Sequence, residues 1–135
     1  MSEGMDAFRL PSGAAVSRLG QGAWQIGEDR RKRAEELLAL NVGLDLGLNL
    51  IDTAEMYGGG RSEELVAEVL TGRRGEVYVV SKVLPENASR RGTISACERS
   101  LKRLKTDRVD LYLLHWRQSI PLRETLDGFM ALKQD

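Results

Sequence analysis

The chain has 135 residues, of which 41% are apolar, enough for one hydrophobic core of ordinary domain size. Lys and Arg number 20, and Asp and Glu number 20, so the formal net charge is zero. Nucleic acids and anionic membranes attract basic surfaces, and we therefore expect neither as a partner. The sequence has no apolar run of about 18 residues and no secretory signal at its start, which predicts a cytoplasmic protein. Because Cys97 is the only cysteine, we expect no intrachain disulfide and no metal site.

The first part of the chain predicts a β-hairpin and one strand–helix unit. A Pro-Ser-Gly turn signal at residues 11–13 separates the two short runs of the hairpin, residues 8–16. A short strand is expected within 19–26. A helix is then expected over 29–46, where the apolar residues recur at helical spacing and Gly47 is a stop signal.

Three further strand–helix units follow in the pattern. The predicted strands cover residues 48–51, 77–80 and 109–114, and the predicted helices cover 61–70, 89–104 and a last segment that Pro121 opens. Ser62 is the expected cap of the second helix, and Leu65, Val66 and Val69 lie on one stripe of it. Strands that alternate with helices predict a parallel sheet with right-handed crossovers.

Two architectures fit this order of elements. One is a small doubly wound sheet; the other is the N-terminal half of a (β/α)8 TIM barrel, with four parallel strand–helix units preceded by a β-hairpin. Four units are half of eight, and a complete barrel needs roughly 250 residues. The α/β class is therefore predicted, whereas composition does not decide between the two arrangements.

Reactive side chains fall where parallel strands end. Asp52, Lys82 and His115 close the second, third and fourth predicted strands, and Tyr57 lies in the loop after the second. Functional groups in parallel α/β folds lie at the carboxyl ends of the strands. Each residue alone has a structural explanation, such as a turn cap for Asp52 or a buried core histidine for His115. The combination of all four at strand ends predicts an active site.

The segments that carry these residues resemble the hallmark sequences of the aldo-keto reductase family. The resemblance lies in residues 50–58 and in the stretch from 100–104 through 110–115, and residues 22–24 and 60–64 add to it. It extends nearly from end to end, in the order and spacing of the family. It implies a (β/α)8 barrel, a nicotinamide cofactor that is usually NADPH, and the reversible reduction of a small-molecule carbonyl compound.

The resemblance also assigns roles to individual residues. It implies the catalytic residues Asp52, Tyr57, Lys82 and His115, the cofactor-binding residues Gly22, Ala23 and Asp52, and a substrate pocket formed by Trp24, Tyr57, His115 and Trp116. Tyr57 is the expected general acid, although a free tyrosine has a pKa near ~10 and is a weak acid at neutral pH. Lys82 is expected to favour the phenolate, Asp52 to keep Lys82 charged, and His115 to align the carbonyl oxygen.

The resemblance implies more than this chain contains. The fifth strand of the family would begin where the sequence stops, and later strands supply most contacts to the cofactor's amide and phosphates. We therefore expect residues 1–135 to be a partial domain, inactive alone, that self-associates through exposed strand edges. The alternative function is a non-catalytic relative, such as a module like a channel-associated β-subunit or a half-barrel with a role in assembly.

Overall fold

A computed structural model describes residues 6–134, which begin with the predicted hairpin. Strand β1 (Ala7–Arg9) pairs antiparallel with β2 (Ala15–Ser17), and Phe8 lies opposite Val16. Gly13 in the connecting turn has a φ of +91°, a conformation that glycine adopts at little cost. The hairpin forms a two-stranded sheet of its own, as predicted.

A second, parallel sheet holds the remaining strands. Its strands are β3 (Gln21–Gly22), β4 (Leu50–Asp52), β5 (Tyr78–Val83) and β6 (Leu111–Leu114), in that spatial order. The helices after them are α1 (Arg33–Asp45), α2 (Arg61–Leu70), α3 (Arg90–Leu104) and α4 (Leu122–Lys133). A doubly wound sheet reverses its strand order at a switch point, whereas these strands lie beside one another in chain order. The four units therefore have the arrangement of half a (β/α)8 barrel.

Helix α2 has the predicted bounds but a different N-cap. Gly60, with a φ of +100°, is the N-cap, and Arg61 is the first helical residue. Ser62 therefore lies inside the first turn, and the prediction that it caps the helix is wrong. The three residues predicted on one stripe, Leu65, Val66 and Val69, are all buried.

The two faces of the parallel sheet are covered to different extents. Ile51, Val79 and Val83 point to the helices and are fully buried, together with apolar residues of α2 and α3. Since successive residues of a strand point to opposite sides, Val80, Leu111 and neighbouring residues form the other face. On that face Leu111 remains 41% exposed. Within residues 6–134, no helix is both long and apolar enough to cross a membrane.

Candidate active site

The carboxyl ends of the strands bring the four predicted catalytic residues together. Asp52 is the last residue of β4, Lys82 is the penultimate residue of β5, and His115 follows β6 directly. The backbone N–H of His115 donates to the carbonyl oxygen of Val83 at 3.0 Å, which extends the pairing of the last two strands up to the site. Tyr57 begins the short turn of residues 57–60 between β4 and α2.

The ammonium group of Lys82 is the centre of the cluster. Its Nζ donates to Asp52 Oδ1 at 2.8 Å and Oδ2 at 2.9 Å, to the carbonyl oxygen of Thr53 at 2.9 Å, and to Tyr57 Oη at 3.2 Å. The Lys82 side chain is mostly buried, and charge-assisted hydrogen bonds of this kind are the stronger ones. Because Tyr57 Oη accepts from Lys82, its own proton is available to another acceptor.

The imidazole of His115 completes the cluster from the side of β6. Its ring packs edge-to-face on Tyr57, with centroids 5.7 Å apart, and on Trp116, with centroids 4.9 Å apart. Its Nδ1 is buried and has no hydrogen-bond partner among the residues that the structure describes. Burial lowers the pKa of His115, the nearby Lys82 cation lowers it further, and Asp52 opposes the shift. The ring is therefore neutral at neutral pH and carries one N–H donor.

Three consecutive glycines connect Tyr57 to α2. Gly58, Gly59 and Gly60 have φ angles of +60°, +62° and +100°. A side chain is disfavoured at such angles, so this tight turn depends on glycine. A Cβ on Gly60 would also lie 2.7 Å from Cδ of Arg103, which packs against the turn.

Buried hydroxyl groups tie the ends of β3 and β4 to α2. Ser62 Oγ donates to the carbonyl oxygen of Ala23 at 2.8 Å, and Thr53 Oγ1 lies 2.9 Å from Ser62 Oγ. Since the Ser62 proton goes to Ala23, Thr53 is the donor to Ser62. Ala23 also donates its N–H to the carbonyl oxygen of Asp52 at 2.8 Å. Ser62 therefore supports the site instead of capping its helix, a contact that its position alone did not predict.

A fully buried carboxylate of α2 bonds to β5 and α3. Glu63 Oε1 accepts from Ser81 Oγ at 2.6 Å, and Oε2 accepts from Nε of Arg103 at 2.6 Å. Sequence analysis did not single out Glu63. Glu63 lies three residues before Val66, and this spacing puts both residues on the buried side of α2. The spacing was therefore the signal that could have indicated a buried Glu63.

The predicted cofactor and pocket residues lie at or shortly after the ends of β3, β4 and β6. Gly22 pairs with Asp52 across β3 and β4, and a Cβ built on it would meet no atom within 4 Å. Ala23 is fully buried, whereas the next residue, Trp24, is 66% exposed. Trp116 contacts His115 and is 40% exposed. Open space therefore lies beside Gly22, next to the carboxylate that holds Lys82.

Known proteins resemble this chain in both sequence and structure. The chain is 55% identical over 118 residues to methylglyoxal reductase YeaE of Escherichia coli (strain K12), a match that covers 87% of this chain and 42% of that protein. It superimposes with a TM-score of 0.91 and 45% identity on an aldo-keto reductase from Klebsiella pneumoniae crystallised in complex with NADPH, covering 96% of this chain and 46% of the other. A crystal structure of an aldo/keto reductase from Klebsiella pneumoniae with NADP and acetate gives a TM-score of 0.92.

The chain thus spans under half the length of these relatives. The model of the Aldo/keto reductase family matches residues 18–135, which include all four residues of the cluster. Sequence, strand order and solved structures agree, and the chain belongs to the aldo-keto reductase family.

Proposed function

We propose that this chain carries the catalytic residues of an NADPH-dependent reductase that converts aldehydes and ketones to alcohols. The observation that carries the proposal is the Lys82 ammonium group, which bonds both to the Asp52 carboxylate and to Tyr57 Oη. When a hydride adds to a carbonyl carbon, the π electrons move to oxygen, and this oxygen needs a proton. Tyr57 donates that proton, and the Lys82 cation stabilises the phenolate that remains.

His115 orients the carbonyl group in this proposal. A neutral imidazole donates one N–H, and the lowered pKa of His115 keeps the ring neutral at neutral pH. A hydrogen bond to the carbonyl oxygen stabilises the charge that develops there. Trp116 beside His115 and Trp24 beyond β3 form apolar walls for a small carbonyl compound.

The residues present fit one end of a nicotinamide cofactor. Bound NADPH supplies the hydride, and the open space at Gly22, beside Ala23 and Asp52, admits a flat ring close to the backbone. The proposal is supported by the relative from Klebsiella pneumoniae that was crystallised with NADPH. We further propose that residues 1–135 form the first four units of the barrel, and that the protein acts in the cytoplasm.

The test is an assay of NADPH oxidation by a full-length protein that contains this chain. Methylglyoxal is the first substrate to try, because the relative YeaE is named a methylglyoxal reductase; simple aldehydes and ketones follow. We expect turnover by the full-length protein and none by the 135-residue chain assayed beside it. NADPH binding without turnover of any carbonyl compound would instead favour the non-catalytic alternative. The absence of both NADPH binding and turnover would overturn the proposal.

A further inference from the structure

One carboxylate close to the cluster has no part in the proposed reaction. Glu55 lies between Asp52 and Tyr57 in the chain and is half-buried. Its Oε1 accepts a hydrogen bond of 2.5 Å from Nδ2 of Asn87, while its Oε2 is buried without a partner among the described residues. Asn87 ends the short 3-10 helix Pro85–Asn87, which follows β5. The bond therefore joins the loop of Tyr57 to the loop after Lys82.

The loop after β5 is a fixed support. Its Pro85 is buried, and Asn87 donates its backbone N–H to the carbonyl oxygen of Leu84 at 2.9 Å. Thr125 of α4, itself almost fully buried, donates to the carbonyl oxygen of Ala88 at 2.7 Å. A side chain that bonds to Asn87 is thus attached to a segment that has its own internal hydrogen bond and a second one from α4.

The loop that carries Tyr57, residues 53–60, has features that make its backbone free to move. Three glycines with positive φ follow Tyr57, and glycine has the largest choice of backbone conformations. On the other side of Tyr57, the backbone N–H of Glu55 makes only a long bond, 3.4 Å, to the carbonyl oxygen of Lys82. The hydrogen bond between Glu55 and Asn87 is much shorter and joins the loop to the segment that follows β5.

We infer that Glu55 is a positioning residue: its hydrogen bond to Asn87 holds Tyr57 Oη within reach of Lys82 Nζ. This inference rests on the proposed function, since the distance between these two atoms matters only if Tyr57 transfers a proton. The contact with Lys82 is 3.2 Å long, so a small displacement of the loop breaks it.

The ionisation of Glu55 supports a role other than stabilisation of the fold. Burial raises the pKa of Glu55; the hydrogen bond from Asn87, the nearby backbone N–H of Leu84 and the charge of Arg99 on α3 lower it, and Glu63 on α2 raises it further. A carboxylate whose pKa is higher in the folded state stabilises the fold fully only below its unfolded value, and this contribution is lost as the pH rises through the folded pKa. At neutral pH, Glu55→Gln should therefore leave stability unchanged or raise it.

The experiment compares five variants of the full-length protein. Glu55→Ala and Asn87→Ala each remove the bond, and we expect kcat to fall about ten- to hundredfold while KM and NADPH affinity change less than about twofold. Glu55→Gln keeps an oxygen that accepts from Asn87 and should restore most of kcat. The double alanine variant should be no slower than either single one, because both remove one contact. Glu86→Ala, at an exposed neighbour in the same 3-10 helix, is the matched control.

A second measurement does not depend on catalysis. Amide hydrogen exchange in residues 54–60 should be faster in both alanine variants and unchanged in Glu55→Gln and Glu86→Ala. Unchanged exchange, or faster exchange with an unchanged kcat, would overturn the inference. If the wild-type protein turns over no carbonyl compound, the proposed function fails, and the exchange data alone decide whether Glu55 holds this loop.

Discussion

At the scale of single residues, the site depends on the hydroxyl group of Tyr57. Tyr57→Phe keeps the ring and its packing on His115 but removes the proton that the carbonyl oxygen would take. We expect turnover to fall by ~100–10,000-fold, the usual contribution of general acid catalysis, with NADPH affinity nearly unchanged. Steady-state kinetics and a binding titration on the full-length protein measure both effects.

The control for this substitution is a tyrosine outside the cluster. Tyr78 of β5 contacts the carbonyl oxygen of Asp110 at 3.5 Å, so Tyr78→Phe removes a hydroxyl group far from the proposed chemistry. It should leave turnover within about twofold of the wild type. A Tyr57→Phe variant that kept turnover within tenfold of the wild type would contradict the assignment of Tyr57 as the acid.

The sequence allowed these residues to be found because their positions follow a rule of the fold. Asp52, Lys82 and His115 lie at or next to the carboxyl ends of strands of one parallel sheet, and such ends meet at one edge. Glu55 and Ser62 follow no comparable rule. Their partners, Asn87 and Ala23, are 32 and 39 residues away, and only the folded chain brings them together.

At the scale of elements, helices were easier to predict than strands. Helix α2 has the predicted bounds, because an apolar stripe and a glycine turn mark it. The strand expected within 19–26 has only two paired residues, Gln21 and Gly22. The chain turns soon after them: Gln25 has a φ of +65°, and a Cβ on Gly27 would lie 2.6 Å from the carbonyl oxygen of Arg61. The apolar run within residues 19–26 does not predict a turn at this place.

Helices α2 and α3 are joined by an ion pair that we expect to be important for stability. Glu63 on α2 is fully buried, and Arg103 on α3 is its only cationic partner among the ion pairs of the described residues. Removal of one partner leaves a buried charge without compensation, so Arg103→Ala should lower the free energy of unfolding by about 3–5 kcal/mol. Urea denaturation of the full-length protein measures this change.

Two further variants test the cause of that loss. Arg91→Ala removes an exposed arginine from the same helix and should change stability by less than about 0.5 kcal/mol. Adding Glu63→Gln to Arg103→Ala removes the uncompensated charge and should recover part of the stability. If the double variant were no more stable than Arg103→Ala, the loss would come from the packing of Arg103 on Gly60 and not from the ion pair.

At the scale of the molecule, the order of elements predicted the parallel units but not which surfaces stay uncovered. Within residues 6–134, β3 and β6 each pair with another strand on one side only. Leu38 and Val42 of α1 form one exposed row with Leu46, the residue directly after that helix, and α4 exposes a second row at the same spacing of four residues, formed by Leu122, Leu126 and Met130. Leu38 was part of the apolar pattern that predicted α1, yet it is 64% exposed. Periodicity alone does not show which apolar positions of a helix meet the sheet.

We propose that these two edges and two apolar rows make the 135-residue chain self-associate when it is alone. Unpaired strand edges bind other strands. Burial of exposed apolar surface lowers the free energy by ~25 cal/mol per Å2. Sedimentation of the purified chain should therefore show dimers or larger species. Leu38→Lys combined with Leu126→Lys puts a charge in each row and should shift the chain towards monomer, whereas Phe8→Lys, at an exposed residue of the separate hairpin, should not. A wild-type chain that sediments as a monomer and unfolds cooperatively would show that the two rows and the two strand edges do not drive association.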